Sequence, residues 1–388
     1  MFNANTIIML LSGLVVFSYL FDLLAKKSKI PSVLLLLGLG IGVRYAGDQN
    51  GWQYLDFASI LPILGTTGLI MIVLEGALEL EYTASRRRAI LKSFVAAGGI
   101  LLLTTGAVAV VIQYFTGAEI SQCILNAVPY SVVSSAIAIP SVANISLEKR
   151  EFLVYESTFS DILGIVLANF LIQHRHPDIG AVAWLGGEMV LTMLISLLAC
   201  ILLIYLLGKI QHHIKFFLII AVMVLMYSIG KHYHLSSLMM VLIFGLMLSN
   251  IDQIPLPFVH KYFVYEQIQQ DTHLLQLLSG ETAFLLRTFF FILFGYTMQV
   301  STLSDPLTLW IGGGILVATY LVRLLFLKAI QVGLLPELFV TPRGLISVLL
   351  FYNIPESDRI GSAGEGVLFL TVLGTTLLMS IGLMFSKK

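Results

Sequence analysis

A chain of 388 residues that is 58% hydrophobic and only 11% charged has too few charged side chains for a water-soluble globular fold, since soluble domains carry about 25% charged residues. The formal net charge is zero, so a nucleic-acid partner has no electrostatic support. The composition therefore predicts an all-α protein that crosses a lipid bilayer many times.

Thirteen apolar runs are predicted to span the bilayer. They are 7–24, 31–43, 57–78, 89–115, 120–145, 152–172, 189–207, 216–229, 235–248, 282–300, 307–330, 338–351 and 367–384. Several are shorter than the ~20 residues that a straight span needs. The first run lacks the basic flank and the small-residue cleavage site of a signal peptide, so we expect it to be retained as a span.

The basic residues predict an orientation for these spans. With the N-terminus outside, fifteen of the 22 Lys and Arg residues fall in inside loops and four in outside loops. The remaining three, Arg287, Arg323 and Arg343, fall within spans. This bias fits the positive-inside rule and places the C-terminus in the cytoplasm. We expect Arg323 to snorkel or to lie at an interface, and Arg287 to reach Glu281 or a carbonyl of a broken helix.

The connections between spans are predicted to carry no further domain. The longest, 250–279, is either an interfacial helix or a solvated loop. The chain stops four residues after the last span and contains no GxxxxGK[ST] loop, so we expect one transmembrane domain over 1–388, without a soluble regulatory module. Cys123 and Cys200 lie in apolar runs, which argues against a disulfide framework or a thiolate metal site. These features predict a transporter without cofactors, not an enzyme.

Two carboxylates lie in the sixth predicted span, 152–172. A charged residue inside a membrane costs ~2.5–3.5 kcal/mol on insertion scales, so each is a functional hypothesis by default. At 100° per residue, Asp161 shares a helix face with Ser157, and Glu156 shares another with Ser160. Burial disfavours the charged form of Asp161 and a bound cation favours it. A proton and a cation would therefore compete for one carboxylate. The alternative is a buried aspartate that only hydrogen-bonds the backbone.

Spans five and twelve are interrupted by proline and small residues. Pro129 and Pro140 interrupt span five, and Pro336 and Pro342 lie in or before span twelve. If the chain is divided into a first repeat (1–172), a linker span (189–207) and a second repeat (216–384), each interrupted span is the fifth of its half. The odd linker makes the second repeat inverted, and paired broken helices in inverted repeats indicate an ion site near the membrane midplane. Alternatively, the prolines only kink the helices.

Several segments resemble the monovalent cation:proton antiporter superfamily, above all its first subfamily of bacterial sodium/proton antiporters, which are related to eukaryotic sodium/proton exchangers. In chain order these segments are Ala25-Lys26-Lys27-Ser28-Lys29-Ile30-Pro31-Ser32-Val33-Leu34, Leu74-Glu75-Gly76-Ala77-Leu78, Ser134-Ser135-Ala136-Ile137-Ala138, Glu156-Ser157-Thr158-Phe159-Ser160-Asp161, Phe284-Leu285-Leu286-Arg287-Thr288-Phe289-Phe290-Phe291 and Arg343-Gly344-Leu345-Ile346-Ser347. The Glu-Ser-x-x-x-Asp and Arg-Gly segments are the most specific.

The resemblance implies a homodimer of thirteen-span protomers, each with a dimerisation domain and a core domain that moves as an elevator. Asp161 takes the role of the carboxylate that binds Na⁺ or H⁺. Further site residues are Ser157, Ser134 and Ser160, with Glu75 as a site or pathway group. Glu156 and Arg343 are expected to form a structural ion pair, and Pro129, Ser135 and Pro342 to lie at the crossing of the broken helices.

The chain departs from the family pattern at two places. Ser160 replaces the asparagine before the key aspartate, and Ser134-Ser135 replaces Thr-Asp. Family members with paired aspartates are electrogenic and those with Asn-Asp are electroneutral. Since Ser160-Asp161 carries one carboxylate, we expect 1:1 electroneutral exchange of Na⁺, or else Li⁺ or K⁺, for H⁺ across a prokaryotic inner membrane. Alternatives are a K⁺/H⁺ antiporter, a homologue that senses ions without transport, and a channel or anion transporter.

Overall fold

The computed structural model describes most of the chain, and every regular element in the described ranges is helical. Those ranges are 4–28, 31–49, 61–79, 87–142, 145–174, 186–187, 190–202, 216–233, 235, 237–250, 265–298 and 300–385. The all-α prediction is confirmed for this part of the chain.

The longer helices follow the predicted spans. In chain order they are α1 (Ala4–Ser28), α2 (Ser32–Gln49), α3 (Leu61–Glu79), α4 (Arg87–Thr116), α5 (Ile120–Ser131), α6 (Ser135–Ser141), α7 (Leu147–Gln173), α8 (Val190–Leu202), α9 (Phe216–His232), α10 (Ser237–Ser249), α11 (Tyr265–Thr297), α12 (Pro306–Ala329), α13 (Leu345–Asn353) and α14 (Glu365–Phe385). Short 3₁₀ turns occupy Val300–Ser304, Glu356–Asp358 and Gly361–Ala363.

Six helical segments among the described residues are long and apolar enough to cross a membrane. They are Arg87–Thr116, Ile120–Ser141, Leu147–Gln173, His273–Thr297, Pro306–Ala329 and Gly361–Phe385. Each of the thirteen predicted spans overlaps one of the helices given above. The chain is therefore a multi-pass membrane protein, and the count of thirteen crossings stays a prediction.

One predicted connection is helical instead. Helix α11 begins at Tyr265, so the polar stretch predicted over 250–279 is neither a solvated loop nor a separate interfacial helix after that residue. The stretch 265–278 contains no Gly or Pro and is rich in Gln and Leu, which are strong helix formers. The polarity of this stretch did not predict where the helix begins.

The chain divides into two compact units. The first contains Met1–Thr67, Leu91–Gly164 and Leu285–Lys388, and the second contains Gly68–Ile90 and Ile165–Phe284. The first unit draws on both predicted repeats and holds every predicted site residue except Glu75. The division into repeats at 1–172, 189–207 and 216–384 stays a prediction.

In the first unit, two extended segments meet where their helices are interrupted. Helix α5 ends at Ser131 and α6 begins at Ser135, with Val132 in an extended conformation between them. The second extended segment precedes α13. The N–H of Ser134 donates to the carbonyl of Pro342 at 2.9 Å, and a Cβ on Gly344 would lie 2.7 Å from the Ser134 hydroxyl oxygen. The missing side chain of Gly344 therefore lets the two segments cross.

The prolines of the fifth predicted span do not lie at the residues where the helix is interrupted. Pro129 and Pro140 lie inside α5 and α6, while the interruption itself falls on Val132, Val133 and Ser134. Two consecutive β-branched residues favour an extended backbone over a helix. The proline signal thus located the broken span correctly but not the residues at which it opens.

A buried ion pair joins α7 to α12. The Arg323 Nη1 and Nη2 atoms donate to the two carboxylate oxygens of Glu156 at 2.6 and 2.7 Å, and both side chains are almost fully buried. The Nε of Arg323 donates to the carbonyl of Glu337 at 2.8 Å. The prediction that Glu156 pairs with Arg343 is therefore wrong, and so is the prediction that Arg323 snorkels. A bidentate pair satisfies both carboxylate oxygens of Glu156 at once. Arg323 forms this pair from α12.

Arg343 instead binds backbone carbonyls. Its Nε donates to the carbonyl of Tyr130 at 2.6 Å, and its Nη1 donates to the carbonyl and hydroxyl oxygens of Thr341 at 3.2 and 2.8 Å. Its own N–H donates to the Thr375 hydroxyl at 3.0 Å. Tyr130 lies in the last turn of α5, whose carbonyls lack helical donors. Arg343 therefore caps the interrupted helix with a cation, as the helix dipole favours.

The ion pair predicts a specific coupling in stability. Either Glu156→Gln or Arg323→Gln leaves one buried charge uncompensated, which costs about 3–5 kcal/mol. We expect each single variant to lower the melting temperature in detergent, and the double variant to recover part of that loss. The measurement is a double-mutant cycle by thermal unfolding of the purified protein.

The matched control is the cycle between Glu156→Gln and Arg343→Gln. Because Arg343 donates to carbonyls and not to Glu156, its coupling to Glu156 should be the smaller of the two. A Glu156–Arg343 coupling as large as the Glu156–Arg323 coupling would contradict this arrangement.

Candidate functional site

Asp161 is held at the crossing by one of its two oxygens. Helix α7 buries the side chain, which is 4% exposed. Its Oδ2 accepts a hydrogen bond from the N–H of Ser135 at 3.0 Å, the first residue of α6. The first N–H groups of a helix have no partner within that helix, so Asp161 supplies one. Its Oδ1 is buried and has no hydrogen-bond partner among the described residues.

Ser134 brings a second unpartnered oxygen to the same place. Its hydroxyl is fully buried and makes no hydrogen bond within the described ranges. Ser134 directly precedes the residue that binds Asp161, and its backbone N–H holds Pro342. A buried oxygen without a partner is costly unless something binds it. Carboxylate and hydroxyl oxygens are the ligand types that hard cations take.

The other two serines of α7 have different tasks. Ser157 is buried and its hydroxyl donates to the carbonyl of Val154 at 3.1 Å, which leaves its oxygen lone pairs available. The hydroxyl oxygen of Ser160 accepts the N–H of Val133 at 2.9 Å. Ser160 therefore satisfies a backbone donor freed by the interruption of the helix. Its predicted role in cation binding stays a prediction.

A glycine lets α7 lie close to this interruption. A Cβ on Gly164 would fall 2.2 Å from a methyl carbon of Val132. Only a residue without a side chain fits there. This contact sets how closely α7 approaches the extended segment at Val132. Ser160 and Asp161 of α7 bind the backbone of that same region.

Arg287 reaches the crossing from α11. Its Nη1 donates to the carbonyl of Ala136 in α6 at 2.9 Å. The N–H that would normally bind this carbonyl belongs to the residue four positions later, and that residue is Pro140, which has none. Of the two partners expected for Arg287, Glu281 or a carbonyl of a broken helix, the carbonyl is confirmed.

Glu75 lies in the second compact unit. It is half-buried in α3, and a Cβ on Gly280 would lie 3.8 Å from its Oε1. Nearby, the Ser249 hydroxyl donates to the carbonyl of Ala77 at 3.2 Å. These contacts tie α3 to α10 and α11 within that unit. The predicted role of Glu75 as a site or pathway group stays a prediction.

Sequence reasoning placed Asp161 correctly in a buried helix but missed the partners that hold the site. The first backbone N–H of a helix leaves no signal in the sequence, and Arg323 is a lone cation in an apolar run. Among the described residues, no three His, Cys, Asp or Glu side chains group as metal ligands. In this part of the chain, any cation at Asp161 would therefore depend on one carboxylate with hydroxyl and backbone oxygens.

Comparisons with known proteins agree with this architecture. The sequence model of a family described as "Sodium/hydrogen exchanger, transmembrane" matches residues 12–386. A structure of the sodium proton antiporter MjNhaP1 from Methanocaldococcus jannaschii at pH 8 is similar with a TM-score of 0.71 and 22% identity, over 96% of this chain and 94% of that chain. An electron-microscopy structure of the same antiporter gives 0.69 and 21%, over 98% and 95%.

The structural likeness at this identity shows a shared fold. A comparison with curated protein sequences gave no significant match. The family match extends over nearly the whole chain, including the interrupted helices and the buried aspartate described above. The chain belongs to the transmembrane sodium/hydrogen exchanger family.

Proposed function

We propose that the protein is a secondary antiporter that exchanges Na⁺ for H⁺ at Asp161. The observation that carries the proposal is the buried Oδ1 of Asp161, which has no partner within the described residues. The hydroxyl of Ser134 is also unpartnered there, and Ser134 directly precedes the residue whose N–H binds Asp161. Membership of the sodium/hydrogen exchanger family supports the same activity.

The proposed exchange follows from competition for one oxygen. The N–H of Ser135 fixes Oδ2, so Oδ1 keeps its position whether or not a ligand is present. A proton needs only this atom. Na⁺ takes Oδ1 together with the oxygens of Ser134 and Ser157, and water completes its shell. Because each ligand neutralises the same charge, only one of them occupies the site at a time.

Alternating access completes the proposal. The crossing of two interrupted helices is held together by hydrogen bonds within the first unit, and we propose that it moves as an elevator in a homodimer. The distribution of Lys and Arg supports a plasma-membrane protein with its N-terminus outside and its C-terminus in the cytoplasm.

The carboxylate is the group to test first. An amide at position 161 cannot exchange a proton for a cation, so Asp161→Asn should abolish Na⁺-driven proton movement in proteoliposomes. Asp305→Asn is the matched control, because it makes the same change at the N-cap of α12, where Asn caps as well as Asp. Exchange by Asp161→Asn above the level of empty liposomes would refute the assignment.

Stoichiometry follows from the single carboxylate at this site. One Na⁺ or one H⁺ neutralises Asp161, so both half-cycles should move the same charge and exchange should be 1:1. In proteoliposomes with K⁺ clamped by valinomycin, an imposed potential should leave the rate of Na⁺–H⁺ exchange unchanged.

A several-fold change in rate with potential of either sign would contradict electroneutral exchange. It would mean that a second charge moves, and Glu75 is the candidate. Glu75→Gln should then remove the voltage dependence.

The serine at position 160 motivates two rival functions. Its hydroxyl is engaged with the N–H of Val133, and an asparagine stands there in the family pattern. A K⁺/H⁺ antiporter would move protons with K⁺ but not with Na⁺ or Li⁺ in the same assay. A sensing homologue would bind a cation at Asp161 and move no protons with any of the three.

A further inference from the structure

A further buried carboxylate, Glu337, lies outside the group of residues proposed to bind the cation. It belongs to the helical turn before the second extended segment and is only 3% exposed. Its Oε2 is buried and has no hydrogen-bond partner among the described residues. A Cβ on Gly333 would lie 3.3 Å from Oε1, so the carboxylate packs against the bare backbone of a glycine.

Three cations near this turn donate to groups other than the carboxylate of Glu337, and the Nη2 of one of them, Arg343, has no hydrogen-bond partner among the described residues. Arg323 binds the main-chain carbonyl of Glu337 and gives its Nη atoms to Glu156. Lys149 donates its Nζ to the carbonyl of Leu335 at 2.6 Å. Arg343 binds the carbonyls at the end of α5 and in its own segment. None of these three side chains is hydrogen-bonded to the carboxylate of Glu337.

Phe339, two residues after Glu337, makes the aromatic contacts of this turn. Tyr320 of α12 lies against Phe339, with 6.3 Å between the ring centres, and its hydroxyl is 3.5 Å from the carbonyl of Thr375. From α14, Gly382 meets Phe339. A buried oxygen without a hydrogen-bond partner is costly unless a ligand binds it. The Oε2 atom of Glu337 is therefore the place in this turn at which a ligand from outside the chain would bind.

Glu337 is not part of α7, but its contacts connect it to the part of that helix that precedes Asp161. Glu156 precedes Asp161 by five residues, or about 7.5 Å along the helix, and Arg323 connects Glu156 to the main chain of Glu337. Lys149, in the first turn of α7, reaches Leu335 in the same turn. This end of α7 is the one that the distribution of basic residues predicts to be cytoplasmic.

We propose that Glu337 is a second proton-binding residue, through which the proton exchanged at Asp161 passes on the side of the α7 N-terminus. The inference rests on the proposed antiport and adds a role to it. In this role Glu337 binds a proton and not the transported cation. It acts only in the half of the cycle that moves protons.

The test separates proton movement from cation movement in the same proteoliposomes. Na⁺–H⁺ exchange is followed with a pH-sensitive dye, and Na⁺–Na⁺ exchange with radioactive sodium at equal pH on both sides, which moves no net proton. We expect Glu337→Gln to lower the ratio of the two rates by about tenfold, since proton transfer by a positioned side chain contributes at least that much. The loss should be greatest at alkaline pH, where protons are scarce.

Two further variants control the interpretation. Glu148→Gln makes the same change at an exposed residue of α7 and should leave the ratio unchanged. Glu337→Asp keeps a carboxyl group and should restore most of the ratio. Where the amide is not tolerated, Glu337→Met replaces it with an apolar side chain of similar volume. The ratio does not depend on how much protein is reconstituted, so partial misfolding cannot imitate the effect.

Three results would overturn the inference. The first is a ratio that stays unchanged in Glu337→Gln, and the second is equal slowing of both exchanges, which would mark a structural role. The third is a Glu337→Asp protein as slow as Glu337→Gln. These results leave the proposed function intact if the wild-type protein exchanges Na⁺ for H⁺. Absence of both exchanges in the wild type would instead refute the Na⁺ antiport, and this inference with it.

Discussion

The first unit of this protein depends on satisfying the backbone groups that two interrupted helices release inside a membrane. In hydrocarbon, an N–H or carbonyl without a partner costs several kcal/mol, and irregular backbone survives there only when other protein groups bind it. Here the N–H of Ser134 binds the carbonyl of Pro342, the N–H of Val133 binds the Ser160 hydroxyl, and that of Ser135 binds Asp161. The freed carbonyls accept hydrogen bonds from arginine side chains.

Arginine suits this task because its donors are fixed in a plane and its charge persists. Arg343 meets the end of α5, Arg287 meets the carbonyl that Pro140 leaves open, and Arg323 meets the carbonyl of Glu337. Arg323 also carries Glu156. The buried arginines thus bind backbone carbonyls, and Arg323 binds a carboxylate as well. Their role is therefore to stabilise the fold and not to bind the transported ion.

Much of this architecture could be predicted from the sequence. Hydropathy located the helices, and the prolines located the interrupted fifth span, although not the residues at which it opens. The pairing of Glu156 could not be predicted, because both Arg323 and Arg343 were available and only the packing of α7 against α12 decides between them. Helix periodicity put Ser160 on the face of Glu156, yet its hydroxyl binds Val133 beside Asp161. Where a helix is broken, contacts follow the freed backbone groups and not the periodicity of the neighbouring helix.

The same constraint bears on the serine at position 135, where the family pattern has an aspartate. The hydrogen bond from Ser135 to Oδ2 of Asp161 comes from its backbone N–H, which any non-proline residue at this position supplies, so this contact does not need the second carboxylate. What changes is the charge around the crossing. The carboxylate of Asp161 lies against the first N–H of α6, at the positive end of that helix dipole. Under the proposed exchange, one proton or one Na⁺ would neutralise this carboxylate to the same degree, so the two ligands would be electrostatically equivalent there.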